Sequence, residues 1–241
     1  TWYFIILWVI TGIIIFYILS ISSILFLIEV ILPRLSEKSK IKYKYLHEMG
    51  WWINTFLLNV HVKYIGKENI PKEGKLTLYG NHKSKLDPLY LTPGVTRAHG
   101  YAAKSELIRI PFVSTLLKVM NSFYVYRDDN RASLKELLVG IEKAKEGHVF
   151  AMYPEGGTMY RDHEDVREVR VGAFKLAQKA ETDIMPFTML NTNKWATRKF
   201  YLKPIKVKVI FHPVIKYEDY KDLSTNEIAD KVIEVINSGV K

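Results

Sequence analysis

The chain has 241 residues, 48% of them apolar, no cysteine and a formal net charge of +10. That length suits one sizeable α/β domain, and the lack of cysteine excludes a disulfide framework, thiolate metal sites and a cysteine nucleophile. The cation excess points to an anionic partner: nucleic acid, anionic lipid or a phosphorylated substrate.

From Trp2 to Leu32 the chain reads "WYFIILWVITGIIIFYILSISSILFLIEVIL", with Glu29 as its one charge. About 20 apolar residues suffice to cross a bilayer, so this run is a candidate membrane segment with length to spare. It has no basic leader and no small-residue cleavage site, which argues against a removable signal peptide. The excess length also allows two shorter helices dipping into one leaflet, with Ser20, Ser22 and Ser23 near a bend. Arg34, Lys38, Lys40, Lys42 and Lys44 follow, a pattern that attracts anionic lipid and sets this side toward the cytoplasm. Trp51 and Trp52 suit either an interfacial aromatic belt or core packing. Residues 1–58 are therefore expected to form membrane-anchoring hydrophobic and amphipathic helices, and residues 59–241 a separate catalytic or binding domain.

Beyond residue 60, short apolar strands alternate with helical patterns, which predicts a mixed, largely parallel α/β sheet flanked by helices. The strand candidates are "VHVKYIG", "KLTLYG", "SFYVYR", "HVFAMYP", "DIMPFTML" and "KVKVIFHPVI". Helical spacing marks Leu134, Leu137, Leu138, Ile141 and Ala144, then Val171, Phe174, Ala177 and Ala180. A last helix opens on Ser224 or Thr225 and closes on Gly239. Before the final strand, "NKWATRKFYLKPIKVK" carries six cations and no acid, and reads either as a second interfacial contact or as a strand edge guarded by charge.

His82, Arg127 and Glu155 fall just after, or at the end of, three of these strands, where open α/β sheets gather their ligand sites. His82 and Asp87 are five residues apart in "YGNHKSKLDPLY". On a straight helix that spacing separates side chains by about 140°, at about 100° per residue, so the pair can meet only if the backbone bends before Pro88. Imidazole suits proton transfer near neutral pH, and a carboxylate on its other nitrogen fixes the tautomer. A capping histidine beside an ordinary turn aspartate explains the same pair. Ser84 is a possible nucleophile, although Lys83 and Lys85 suggest an exposed turn, and a metal site with His47 or His163 lacks recognisable ligand spacing. In "YPEGGTMYRD", the Gly156–Gly157–Thr158 turn could bring backbone N–H groups to a ligand, Glu155 could accept from a substrate hydroxyl, and Arg161 could pair with a phosphate. Lys104 and Arg127 add cations near the ends of ordered segments.

In content and order, these segments resemble the glycerolipid acyltransferase family, especially its bacterial 1-acyl-sn-glycerol-3-phosphate acyltransferases, from about Leu76 to Pro186. "NHKSKLD" is similar to the family's N-H-x4-D block, "FYVYR" to its second block and "YPEGGT" to its F-P-E-G-T-R block. "IMPF" resembles the Val-Pro block and "KSEL" the Lys-x-Glu-Leu segment. The resemblance implies that His82 is a general base oriented by Asp87. It implies acceptor-binding roles for Lys104, Arg127, Glu155, Gly156, Gly157 and Thr158. Gly157 is an insertion relative to the family, so the usual arginine is out of register, and Arg161 is the candidate replacement.

The implied reaction moves a fatty acyl group from an acyl carrier protein or coenzyme A thioester to the sn-2 hydroxyl of lysophosphatidic acid. It needs no cofactor, no metal and no nucleic acid, and places the enzyme on anionic lipid at the cytoplasmic or inner membrane. Two alternatives remain: a different acceptor, such as glycerol-3-phosphate, another lysophospholipid or a lipid A precursor, or a non-catalytic membrane-anchored basic binding module.

Overall fold

The computed structural model describes residues 2–36 and 39–241; Lys38 of the juxtamembrane cations lies outside them. Among the described residues, seven strands form one sheet: β1 (Val60–Ile65), β2 (Leu76–Gly80), β3 (His99–Lys104), β4 (Phe123–Val125), β5 (Val149–Met152), β6 (Asp183–Leu190) and β7 (Ile205–Phe211). Their order is β1-β7-β6-β2-β5-β3-β4, parallel at every pairing except the antiparallel β6–β7 step. This is the expected mixed, largely parallel sheet. The carboxyl ends of β6, β2, β5, β3 and β4 therefore lie along one side.

The sheet is covered on both faces because its strands alternate apolar side chains with period two. Leu76 and Leu78 of β2, Val149 and Ala151 of β5, and Met185, Phe187 and Met189 of β6 enter one core. Tyr79, Phe150, Met152 and Ile184 enter the other. The first core is filled by α2 (Lys40–Trp52), α3 (Asp87–Leu91) and α4 (Val113–Val119) through Tyr43, Leu46, Met49, Tyr90, Leu91 and Leu117. The second takes α5 (Asn130–Lys145), α6 (Lys175–Ala180) and α8 (Thr225–Ser238) through Ile141, Ala144, Ala177, Ile228, Val232 and Ile236. The short α7 (Lys194–Thr197) sits between β6 and β7.

All six expected strands form, and α8 has the expected limits, with Ser224 and Glu227 building a capping box. β3 is the strand that sequence reading missed: "HGYAAK" has little β-branched character and owes its place to pairing with β5 and β4. The predicted stripe on α5 is half correct. Ile141 and Ala144 are buried, whereas Leu134 and Leu138 stay exposed.

The N-terminal helix α1 (Trp2–Phe26) runs unbroken through Ser20–Ser23, so the bend considered there does not form. Helical structure continues as a π turn at Leu27–Ile31 and a 3-10 turn to Arg34, giving a segment long and apolar enough to cross a membrane. No residue of α1 is buried, whereas Ile28 and Leu32 beyond it join the first core. Glu29, the one charge in the run, accepts from the Phe112 amide at 3.1 Å and the Thr115 hydroxyl at 2.9 Å, tying the helix to the start of α4. Of the juxtamembrane cations, Lys42 is buried beside the Tyr43 ring and is not a surface charge, while Lys40 and Lys44 are exposed.

Candidate functional site

The β2 strand delivers Asn81 and His82 to the carboxyl side of the sheet. Asn81 is fully buried and behaves as an extra rung of the ladder. Its amide donates to the carbonyls of Met189 at 2.7 Å and Glu164 at 2.9 Å, and its oxygen accepts from the Met189 amide at 2.7 Å. The chain must therefore leave the sheet at His82 in one direction.

Residues 81–86 are not helical, and α3 begins at Asp87 with Pro88 in its first turn, where a missing N–H costs nothing. The bend thus lies between His82 and Asp87, which answers the spacing problem. His82 Nδ1 is 2.8 Å from Asp87 Oδ2, and the same oxygen accepts from the amides of Lys83 at 2.7 Å and Ser84 at 2.9 Å. Three donors fix one carboxylate oxygen. An ionised Asp87 makes Nδ1 the protonated nitrogen of neutral His82 and leaves Nε2 as its basic atom. Nε2 has no partner among the described residues, and the ring keeps 18% of its surface exposed while Asp87 keeps none. The other face of the ring stacks on Tyr153 at 4.4 Å. Burial holds the Tyr153 phenol well above its ordinary range, so it is neutral at this site.

Lys83 is the main departure from expectation. It is not in an exposed turn: it and Glu155 are 2% and 1% exposed and form an ion pair at 2.5 Å. Lys83 also donates to the Asp165 carbonyl at 2.9 Å. The second oxygen of Glu155 accepts from the His82 amide at 2.7 Å. Both Glu155 oxygens are thus engaged by the protein, so its side chain joins the turn after β5 to the turn after β2. Burial raises the Glu155 pKa, with Lys83 and His82 pulling the other way. Ser84 is buried, and its hydroxyl accepts from the Leu86 amide at 3.2 Å. His47 packs on His99 at 6.2 Å, and His163 bonds Arg167 at 2.9 Å.

The cations sort into two groups. β2 and β5 are neighbours, but β3 separates β5 from β4, so Arg127 meets the other turns through its long side chain. Its guanidinium donates to the Gly156 carbonyl, and a Cβ at Gly157 would come within 3.0 Å of it. Gly156 has φ of +68°, which favours glycine, and a Cβ there would lie 2.7 Å from Arg170 Nε. Arg170 makes no side-chain bond among the described residues, while its backbone amide donates to Pro154 at 2.8 Å. Two guanidinium groups therefore lie against one glycine pair beside His82's turn. Arg161 is exposed, as are Arg127 and Arg170, and it bonds through its carbonyl, which accepts from Asn193 at 2.7 Å. Thr158 is half-buried in the same turn. Lys104 ends β3 on the surface, paired with Glu106 at 2.5 Å.

Sequence reading missed Arg170 and Asn81. Asn81 was in view as the first letter of the N-H-x4-D block. Arg170 had no local signal, since it lies 14 residues from Gly156 and reaches it only through the fold.

The acyltransferase family model matches residues 61–190, which contain His82, Asp87, Arg127, Glu155 and Arg170. A 1-acyl-sn-glycerol-3-phosphate acyltransferase of Borreliella burgdorferi is 31% identical over 191 residues, 77% of this chain and 76% of that protein. One from Bacillus subtilis is 26% identical over 182 residues, 75% of this chain and 86% of that protein. The crystal structure of the 1-acyl-sn-glycerophosphate (LPA) acyltransferase of Thermotoga maritima aligns with a TM-score of 0.74 and 26% identity, over 91% of this chain and 86% of that one. A match over more than half of the chain, and a relative covered for three quarters of its length, show that the chain belongs to the acyltransferase family.

Proposed function

We propose that this chain transfers a fatty acyl group from a thioester to the free sn-2 hydroxyl of lysophosphatidic acid, making phosphatidic acid. The observation that carries the reading is an accessible imidazole, oriented by a buried carboxylate, beside two arginines at one glycine turn. The names of the relatives support the same acceptor.

In this reading His82 Nε2 takes the hydroxyl proton as the oxygen attacks the thioester carbonyl. Asp87 stabilises the imidazolium that forms. Collapse of the tetrahedral intermediate breaks the C–S bond, and the departing sulfur takes the proton back from His82. No acyl-enzyme is required, in keeping with Ser84 being turned into its own loop. Arg127 and Arg170 would hold the acceptor phosphate, since guanidinium groups offer paired donors to its oxygens. Glu155 and Lys83 would position the His82 turn. Acyl carrier protein and coenzyme A both remain as donor carriers. The apolar N-terminal segment would keep the pocket at the cytoplasmic face of the membrane, where lipid acceptor and product reside.

The test is phosphatidic acid formation by detergent-solubilised protein given lysophosphatidic acid and either thioester. Wild type should make product, and His82→Ala should lose about 10²- to 10⁴-fold in turnover. Product from both proteins at equal rates would exclude His82 as the base. No product from folded wild type with either donor would turn the search to glycerol-3-phosphate and other lysophospholipids.

A further inference from the structure

Most of the basic segment, residues 193–204, precedes β7 and is the short α7 and a loop rather than a strand edge. β7 pairs with β1 from Ile205 to Ile210 and with β6 only from Lys208 to Phe211, so its hydrogen-bonding groups are covered on both sides from Lys208 to Ile210. The loop leading into it must answer to something else. Phe200, Tyr201 and Leu202 stand out from the surface, with Phe200 74% and Leu202 90% exposed. A loop tip that presents three large apolar side chains in succession marks an interaction surface.

The loop is held in place. Asn59 donates to the Tyr201 carbonyl at 2.9 Å, the Tyr201 hydroxyl donates to the Leu57 carbonyl, and Arg198 donates to the Leu58 carbonyl at 2.9 Å. Arg198 also lies over the Tyr201 ring at 4.1 Å. These anchors belong to the segment just after Trp51, Trp52 and Phe56, which form their own aromatic cluster with Trp51 and Phe56 exposed. That cluster in turn meets the apolar N-terminal helix: Tyr17 of α1 packs on Trp52 at 6.2 Å and donates to the Phe56 carbonyl at 3.3 Å. A continuous line of contacts thus runs from α1 through Trp52 and Phe56 to the loop. In sequence, Lys194, Arg198, Lys199 and Lys203 flank the apolar tip, with no acid from Asn193 to Lys208, and Lys194, Lys199 and Lys203 are exposed.

We infer that the Phe200–Leu202 loop is a second membrane contact, which sets its apolar tip into the interface of an anionic bilayer while Lys199 and Lys203 face the headgroups. Aromatic and leucine side chains ringed by lysine and arginine are the composition of an interfacial element. Continuity with α1 places the loop beside the segment that enters the membrane, and the charge selects a negative surface. The surface is separate from His82 and does not depend on which acceptor the enzyme uses.

The chain has no cysteine, so a single introduced thiol reports one site. The full-length protein is prepared as Leu202→Cys and, as a control in the turn before α8, Asp222→Cys. Each carries an environment-sensitive fluorophore, and each is checked for an unchanged thermal transition. With phosphatidylglycerol–phosphatidylcholine vesicles, the label at 202 should shift to the blue and be quenched by brominated lipid, and the label at 222 should not. Adding Lys199→Gln and Lys203→Gln should weaken the contact about 30-fold at low salt, at about fivefold per cation. No shift at 202 while the protein floats with the vesicles would overturn the proposal. An equal shift on pure phosphatidylcholine would overturn the anionic surface. A shift that follows protein concentration without vesicles would assign the loop to a second copy of the chain instead.

Discussion

Arg161 and Arg170 are rival candidates for the proposed phosphate contact. Arg161 follows the glycine turn closely in sequence, yet it bonds through its backbone carbonyl, whereas the Arg170 side chain lies against Gly156. A charge-assisted hydrogen bond contributes roughly 1.5–3 kcal/mol, or about 10- to 100-fold in affinity. Arg170→Ala should therefore raise the acceptor KM by about that factor with a smaller change in kcat, as should Arg127→Ala. Arg161→Ala should move KM little. Steady-state kinetics at varied lysophosphatidic acid decides it, and the reverse ranking would return the role to Arg161. Gly157 stands where the resembling family's motif would lead straight to threonine and arginine, and in the proposed reading Arg170 supplies the guanidinium. Sequence spacing reports only neighbours along the backbone, so it offered Arg161; the fold offers Arg170.

At the scale of elements, the site depends on how two turns are joined. The turn after β2 carries His82 and the turn after β5 carries Glu155, and the buried Lys83–Glu155 pair connects them. Removing one partner of a buried pair strands the other charge, at a cost of roughly 3–5 kcal/mol. Lys83→Met should lower stability on that order in denaturant titration of the detergent-solubilised chain. Lys83→Met with Glu155→Gln should recover part of the loss, because no unpaired charge remains. A Lys83→Met protein as stable as wild type would show that the pair does not join the turns. Lysine in a loop reads as solvated, which is why Lys83 looked exposed; only the placement of β5 beside β2 shows the glutamate waiting for it. β3 carries the same lesson. Its residues have weak intrinsic strand preference, and the sheet on both sides of it recruits them.

For the whole molecule, the core holds histidines that must stay neutral. His99 is fully buried, and its Nδ1 lies 2.9 Å from the Arg97 carbonyl. Burial depresses its pKa from 6.5 to about 3. Burial likewise lowers His47 and His212. A folded-state pKa below the unfolded one means that the unfolded chain binds the proton more readily. Stability from His99 is therefore complete above pH 6.5 and drains away as pH falls toward about 3, by on the order of a few kcal/mol. His99→Gln should flatten this acid limb of a stability–pH curve, whatever it costs at neutral pH. An unchanged slope between those limits would rule His99 out as its source.

Much of this protein was settled by residue order alone. An apolar run of this length has few fates, and alternating strands with helical stripes between them admit few sheets. The His82–Asp87 pair and the glycine turn at 156–157 were visible because local chemistry and spacing constrain them strongly. The tertiary structure decided what depends on contacts between distant segments. It set Arg170 against Gly156, buried Lys83 and Lys42, made β3 a strand, and joined the Phe200–Leu202 loop to the segment after Trp52 that α1 also touches. Each of these turns on burial or pairing across many residues, and the free energy of a charge, a strand or an exposed ring is set by what packs around it.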